Sequence, residues 1–324
     1  MKLPFKVAGL ALIFSALSAF AQPTTSLTSQ PLKVVVPFAP GGGTDLYARL
    51  LSNGLSKRGV QMVVENKPGA SGMIAATAVA RAKPDGRTIL FASLGTLVSN
   101  AVLLDKLTYD PQKDFRGVTQ IGYQPSLIVA RPDAPFKDIR GLVAYAKANP
   151  EKINRGSPGA AIITNLAPLA FENKYGFKTT HIPFNGVAPG FIALVSGQID
   201  IMGTGPSGIA PYVSDGRMTL LGVMGESRLP QFPNVQTFKE QGYDFNGNLW
   251  YGLSVPAGTP VETVKELNKI VNEVLNDRDF KERAREMSVE PKGSSPDEYD
   301  AYVRAETERW VPELKRIKAS MDTK

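Results

Sequence analysis

One histidine, His181, and no cysteine in 324 residues leave few groups for nucleophilic or metal-dependent chemistry. Cys-His nucleophile pairs and histidine-pair zinc sites are removed by composition alone. His181 stands in an alternating Thr-Thr-His-Ile-Pro stretch, where a hydrogen-bonded structural histidine is the stronger reading. A partnership with Ser157 is conceivable, but Gly156-Ser157-Pro158-Gly159 lacks the spacing of the G-x-S-x-G elbow. A hydrolase is therefore disfavoured, and no catalytic residue, metal ligand or cofactor is assigned.

Glycine loops are the chemistry that remains. A β-branched run from Lys33 ends at Pro37-Phe38-Ala39-Pro40-Gly41-Gly42-Gly43, and Thr44-Asp45 opens a helical pattern. Glycines let a backbone approach a ligand closely, and the free N–H groups of a helix's first turn carry the positive end of its dipole. That combination seats an anion. The plainer reading is a tight turn, with Thr44 capping the helix and Asp45 favourable in its first turn. Similar turns recur at Ser93-Leu-Gly95-Thr96, at Arg155-Gly156-Ser157-Pro158-Gly159-Ala160-Ala161 and at Asn185-Gly186-Val-Ala-Pro189-Gly190. Gly203-Thr204-Gly205-Pro-Ser-Gly208 matches G-x-G-x-x-G, but Pro206 inside the loop and Pro211 in the following helix weaken a dinucleotide reading. A turn facing a ligand cleft, with the Thr204 hydroxyl and backbone N–H groups available, fits better. Each loop alone could be a connector, and their repetition points to a binding cleft.

These loops need strands and helices to hold them. Strands are expected at Lys33 to Val36, Gln61 to Glu65, Thr88 to Ala92, Ser126 to Ala130, Thr179 to Pro183, Ile199 to Met202, Leu220 to Met224 and Trp250 to Val255, with a further one near Ile153. Helical patterns fall at Asp45 to Lys57, Gly72 to Ala82, Ile139 to Ala148, Ile163 to Lys174 and Ala188 to Gly197. The alternation argues for α/β architecture, with mixed, mostly parallel sheets flanked by helices. From Pro260 to Lys318 the pattern turns wholly helical, over Val261 to Asn276, Asp279 to Met287 and Pro296 to Ile317. Residues 1–21, with Lys2 and Lys6, an apolar stretch to Phe14 and Ala19-Phe-Ala21, read as a signal peptide cleaved after Ala21. A soluble, periplasmic protein is expected. About 300 mature residues call for two lobes. The crossovers are placed at Pro125 and at Gly242 to Trp250, giving lobe 1 as residues 31–124 plus 250–324 and lobe 2 as 125–249. Removing Lys2 and Lys6 takes the formal charge from +7 to +5, and charges of both signs are interspersed, so nucleic acid is not an expected partner.

Several segments together resemble the substrate-binding proteins of tripartite tricarboxylate transporters, often called the Bug family. They are Val36-Pro-Phe38-Ala-Pro40-Gly-Gly-Gly43-Thr-Asp45 with Arg49, Val64-Glu-Asn66-Lys-Pro68-Gly-Ala70-Ser-Gly72, Lys83-Pro-Asp85-Gly-Arg87-Thr, and His181-Ile-Pro183-Phe184. Leu194-Val-Ser-Gly197-Gln198-Ile-Asp200, Trp250-Tyr-Gly252-Leu and Val255-Pro256-Ala-Gly258-Thr-Pro260 extend the likeness over the mature chain. The resemblance implies a two-lobed, type II periplasmic binding fold that closes on a small carboxylate and delivers it to membrane subunits of such a transporter. It implies that the loop matching Phe38 to Asp45 and the loop matching Ser157 to Ile162 face each other and hold one carboxylate. The carboxylate would lie against Ala39 and Gly42 to Thr44, with Asp45 organising the loop or water, because like charges repel.

The chain departs from the family pattern where a ligand is chosen. Ala161, Ile162 and Asn165 replace a glycine and serine pair followed by histidine, Phe184-Asn185 replaces Tyr-Lys, and Gly203-Thr204-Gly205 replaces an Asp-Asn pair. Each change removes polarity, which favours a ligand with an apolar body, an aromatic or otherwise apolar mono- or dicarboxylate. In the alternative, these side chains pack behind the loops and say nothing of the ligand. The expected site comprises Phe38, Ala39, Gly42, Gly43, Thr44, Asp45, Ser93, Thr96, Ser157, Gly159, Ala160, Ala161, Ile162, Phe184, Asn185 and Thr204. A monomer is expected. A sensing partner of a two-component kinase and an exported hydrolase are the competing functions.

Overall fold

The computed structural model describes residues 30–159, 161–184 and 186–322, so the expected signal peptide lies outside the described residues. The chain begins with β1 (Leu32–Val36), α1 (Gly43–Ser56), β2 (Met62–Asn66), α2 (Met73–Ala80), β3 (Thr88–Ala92), α3 (Asn100–Leu103) and β4 (Phe115–Gln124). It continues through β5 (Ser126–Ala130), α4 (Ile139–Ala148), β6 (Asn154–Ser157), α5 (Ile163–Tyr175), β7 (Thr180–Pro183), α6 (Val187–Val195), β8 (Ile201–Thr204), α7 (Ala210–Ser214) and β9 (Thr219–Met224). The last portion is β10 (Leu249–Pro256), α8 (Val261–Leu275), α9 (Arg278–Glu286), β11 (Glu290–Pro291) and α10 (Pro296–Asp322).

Two sheets organise these elements, one in the order β11-β4-β10-β3-β1-β2 and the other β7-β6-β8-β5-β9. Among these strands, β1 pairs in parallel with β2 and β3, and β6 with β7 and β8. The remaining pairs, β10 with β3 and β4, β11 with β4, and β5 with β8 and β9, are antiparallel. Antiparallel strands thus enter where the chain passes between sheets. Pro125 alone separates β4 in the first sheet from β5 in the second, and the chain returns after β9 to enter the first sheet again as β10.

Apolar runs explain the buried strands. Leu32, Val34, Val35 and Val36 are at most 1% exposed, as a parallel strand covered on both faces requires. Helix α1 buries Tyr47, Ala48, Leu51 and Leu55, an apolar stripe at helical spacing, against this sheet, where Tyr47 donates its hydroxyl to Ile121 O at 2.6 Å. Strand β4 carried no alternating signal, since its Thr119, Gln120 and Gln124 are polar, yet it lies inside the sheet with those residues buried. Its polar groups find partners from the C-terminal segment: Thr119 Oγ1 bonds Ser294 O at 3.0 Å, and Gln120 N–H donates to Ser294 Oγ at 3.0 Å. The expectation of a strand-free C-terminal portion fails at Glu290–Pro291, which pairs with β4 through main-chain bonds that need no strand-forming pattern. The long helix α10 packs on β4 through Tyr299 and reaches the second sheet's helix α5, where Asn173 donates to Glu313 at 2.6 Å. No helix among the described residues is long and apolar enough to cross a membrane.

Candidate functional site

A cavity of about 610 Å³ lies at the C-terminal ends of the parallel strands of both sheets. The first sheet contributes residues 38–44 after β1, Ser93, Leu94 and Gly95 after β3, Gln124 at the end of β4, and Leu249, Trp250 and Tyr251 at the start of β10. The second contributes Pro158 after β6, Ile162, Ile163 and Thr164 at the start of α5, Gly186 to Pro189 at the start of α6, and Thr204, Gly205, Ser207 and Gly208 after β8. Three helices, α1, α5 and α6, therefore direct their first turns at one space. Apart from Asn165 N–H, which reaches Ile162 O, and Pro189, which has no N–H, the first-turn amides lack intrahelical acceptors, so the cavity collects donors and positive dipole ends with no cationic side chain among its described lining residues.

The loop from Phe38 to Asp45 owes its shape to a carboxylate behind it. Helix α1 begins at Gly43 with Gly42 as its N-cap, and no side chain caps it, so Thr44 does not hold the capping position expected for it. Asp45, two residues further in, is 2% exposed and its Oδ2 accepts from Gly41 N–H at 2.9 Å and from Arg49 Nε at 3.0 Å. Asn66 Nδ2 donates both to Asp45 Oδ1 and to Phe38 O, each at 3.0 Å, which ties the end of β2 to the loop. Burial alone would raise the Asp45 carboxyl, yet the bonds from Arg49, Gly41 and Asn66 outweigh it and hold the group below its ordinary value. Asp45 is thus an ionised brace for the loop. Gly41 takes φ +82°, a left-handed conformation suited to glycine.

Thr44 turns its hydroxyl to Tyr251, whose own hydroxyl donates to Gln124 Oε1. Burial raises the Tyr251 phenol far above its usual value, so the proton that fixes the direction of this chain stays in place. Backbone groups, rather than the Thr44 hydroxyl, are therefore left for an anion at α1.

Of the residues expected at the site, Phe38, Ala39, Gly42, Gly43, Thr44, Ser93, Ile162 and Thr204 line the cavity. Asp45, Thr96, Ser157, Gly159, Ala161 and Phe184 do not, and Ala160 and Asn185 lie outside the described residues. Thr96 Oγ1 stays within its own turn, accepting from Ser93 N–H at 3.1 Å and donating to Ser93 O at 3.2 Å. Ala161 is buried and its carbonyl accepts from Ser99 Oγ at 2.7 Å, a bond between the two sheets' loops. Phe184 packs against Gly156 and Gly190. Asn165, at the family's histidine position, accepts from Arg155 Nη1 at 2.6 Å inside a buried cluster with Glu172 and Thr179. Ser157 and His181 do meet, with Oγ and Nε2 2.7 Å apart, but Ser157 is fully buried and its hydroxyl donates to Gly159 O at 3.1 Å. That contact joins β6 to β7, and neither residue lines the cavity, so the pair is placed as a brace between strands.

Sequence reasoning missed Gln124, Thr164, Ser207, Tyr212 and Tyr251 as lining residues. Tyr251 lay within a segment carrying the family resemblance, and Ser207 within the G-x-G-x-x-G turn. Gln124 had no local signal at all.

Paired sheets joined by two crossovers around a donor-lined cavity define a solute-binding receptor of the periplasmic type. The chain belongs to the tripartite tricarboxylate transporter family receptors, whose model matches residues 47–318. A UPF0065 protein from the tcbD-tcbE intergenic region of Pseudomonas sp. (strain P51) is 33% identical, over 94% of this chain and 91% of its own length. Among solved structures, a Rhodopseudomonas palustris protein with adipate is 30% identical with TM-score 0.83, covering 89% of this chain and 97% of that one. MatC from the same organism, with bound malate, is 32% identical with TM-score 0.79, covering 88% and 98%.

Proposed function

We propose that this chain is exported, with its leader cleaved after Ala21, and captures a carboxylate whose body is apolar, either aromatic or otherwise apolar, with one or two carboxyl groups. Residues 31–124 plus 250–324 close on residues 125–249, and the loaded receptor delivers its ligand to the membrane subunits of a tripartite tricarboxylate-type transporter. It works as a monomer and catalyses no reaction. One observation carries the reading: none of the described residues lining the cavity is Asp, Glu, Lys, Arg or His, while Phe38, Leu46, Leu94, Ile162, Ile163, Val187, Phe191, Leu249 and Trp250 supply its walls. Such walls exclude a polyanion, whose several charges need several cations or much water, and favour one carboxylate on backbone N–H groups with an apolar remainder. Ala39 and Gly42 to Thr44 seat that carboxylate. The relative with adipate accepts a ligand of this kind, and the relative with malate a more hydroxylated one. Ile162 and Thr204 face this ligand, whereas Ala161 and Phe184 act from behind the loops. A thermal-shift panel of the mature protein tests the reading, since a ligand that binds the folded state raises Tm by mass action. Benzoate, adipate and longer apolar carboxylates should raise it more than citrate at equal concentration. A larger shift with citrate overturns the ligand class.

A further inference from the structure

The cavity is larger than a short carboxylate requires. Its volume of about 610 Å³ falls well inside the range of about 300 to 1,000 Å³ that encloses drug-sized ligands. The loops on its two sides already touch. Ser99 Oγ donates to Ala161 O at 2.7 Å, and a Cβ at Gly43 would stand 2.8 Å from Ser207 Cβ. The volume is therefore that of a cavity whose sides are in contact, not of a gaping cleft. Its apolar surface runs from deep walls to an open mouth. Leu94 and Trp250 are each 1% exposed, whereas Leu46 and Val187 are 47% and 39% exposed. Of the six exposed large apolar side chains among the described residues, these two line the cavity. They face it from its two sides: Leu46 closes the first turn of α1, its N–H bonding Gly42 O at 3.0 Å, and Val187 opens α6.

A short carboxylate on the α1 seat leaves most of this surface against water, and the hydrophobic effect then contributes little to its affinity. A body that packs on Leu94 and Trp250 and still covers Leu46 and Val187 removes both the deep walls and the mouth from water. We propose that the ligand is a bulky carboxylate, with an apolar body of two rings or equivalent size, seated by its carboxylate at Gly42 to Thr44 and extending to the mouth between Leu46 and Val187. This rests on the carboxylate-receptor reading above and narrows its ligand class by size. Leu46 and Val187 are then specificity residues, since a ligand of one ring or a short chain does not gain from both the deep wall and the mouth. Their exposure in the ligand-free protein follows, because the surface they contribute is covered by the ligand itself. The relatives with adipate and malate hold short open chains, so this chain's selectivity differs from theirs in the size of the body rather than in the carboxylate grip.

The test titrates the mature protein with benzoate, adipate and biphenyl-4-carboxylate by calorimetry, and repeats the two aromatic titrations on the double variant Leu46→Gln with Val187→Gln. Wild type should bind biphenyl-4-carboxylate about ten- to hundredfold more tightly than benzoate, the gain expected from burying one more ring. The double variant should keep less than about a third of that gain, because polar ends at the mouth no longer reward an apolar body. The ratio of the two affinities is the readout, and a general loosening of the fold lowers both affinities without reversing their ratio. A wild-type gain below about tenfold, or tighter binding of adipate than of biphenyl-4-carboxylate, overturns the size class and leaves the carboxylate reading standing. A double variant that keeps more of the gain overturns the placement of the body at Leu46 and Val187. Binding of none of the three compounds by wild type overturns the parent reading, and the size class with it.

Discussion

Gly43→Ala places one methyl group where the loops of the two sheets touch. A Cβ at Gly43 would stand 2.8 Å from Ser207 Cβ and closer still to its Oγ. Carbon atoms pack at roughly 3.5 to 4.0 Å, so the start of α1 and the turn after β8 must separate by about 1 Å. Overpacking of this size costs about 1 to 3 kcal/mol. In a receptor that binds by bringing these loops together, the cost falls on the bound state and raises Kd about 5- to 150-fold. The backbone at Gly43 is helical, where alanine is the better helix former, so the helix itself accepts the methyl group and the cost lies in the contact with Ser207. Ser207→Gly removes both atoms of the clash and should restore affinity in the double variant, a cycle that isolates this contact. Calorimetric titration of the four proteins with a bound carboxylate is the assay. Wild-type affinity in Gly43→Ala, or a weakened variant that Ser207→Gly does not rescue, refutes closure across this contact.

Further outcomes follow from the same geometry. Glu172→Ala strips the carboxylate from buried Arg155 and Thr179 and should cost about 3 to 5 kcal/mol in urea unfolding, far more than the paired replacement Arg155→Met with Glu172→Leu. Carboxylate affinity should be flat from pH 6 to 9, because no described lining residue except tyrosine titrates and burial pushes Tyr251 upward; a tenfold change across that range in calorimetry contradicts the lining. The Asp45 carboxyl lies below its unfolded value, so its stabilisation is complete above about pH 4 and is lost as pH falls through the folded value. Asp45→Asn should flatten that part of the acid-unfolding profile and weaken binding as the Gly41 turn loosens.

Much of the architecture was legible because apolar runs and glycine turns are local. Strands β3 and β5 and helix α4 fall where periodicity puts them, since their burial is written in their own residues. Strand β4 was not legible, because its polar Thr119 is completed by Ser294 and Asn272 from a distant segment. The site divides the same way. Gly41 to Thr44 announce an anion seat through chain conformation, whereas Gln124 and Thr164 reach the cavity only after β4, β10 and α5 are assembled. The loss of polarity relative to the family was read as one signal, yet it has two meanings. Ile162 and Thr204 face the cavity, while Asn165 serves Arg155 and Phe184 fills space against Gly156.

The most direct test is a crystal structure of the mature protein with a bound apolar carboxylate. The account places a carboxylate within hydrogen-bond distance of backbone N–H groups between Gly42 and Thr44, with no Lys or Arg side chain touching it and its body against Phe38, Ile162 and Trp250. A carboxylate held by a cationic side chain, or bound away from the turn after β1, contradicts it.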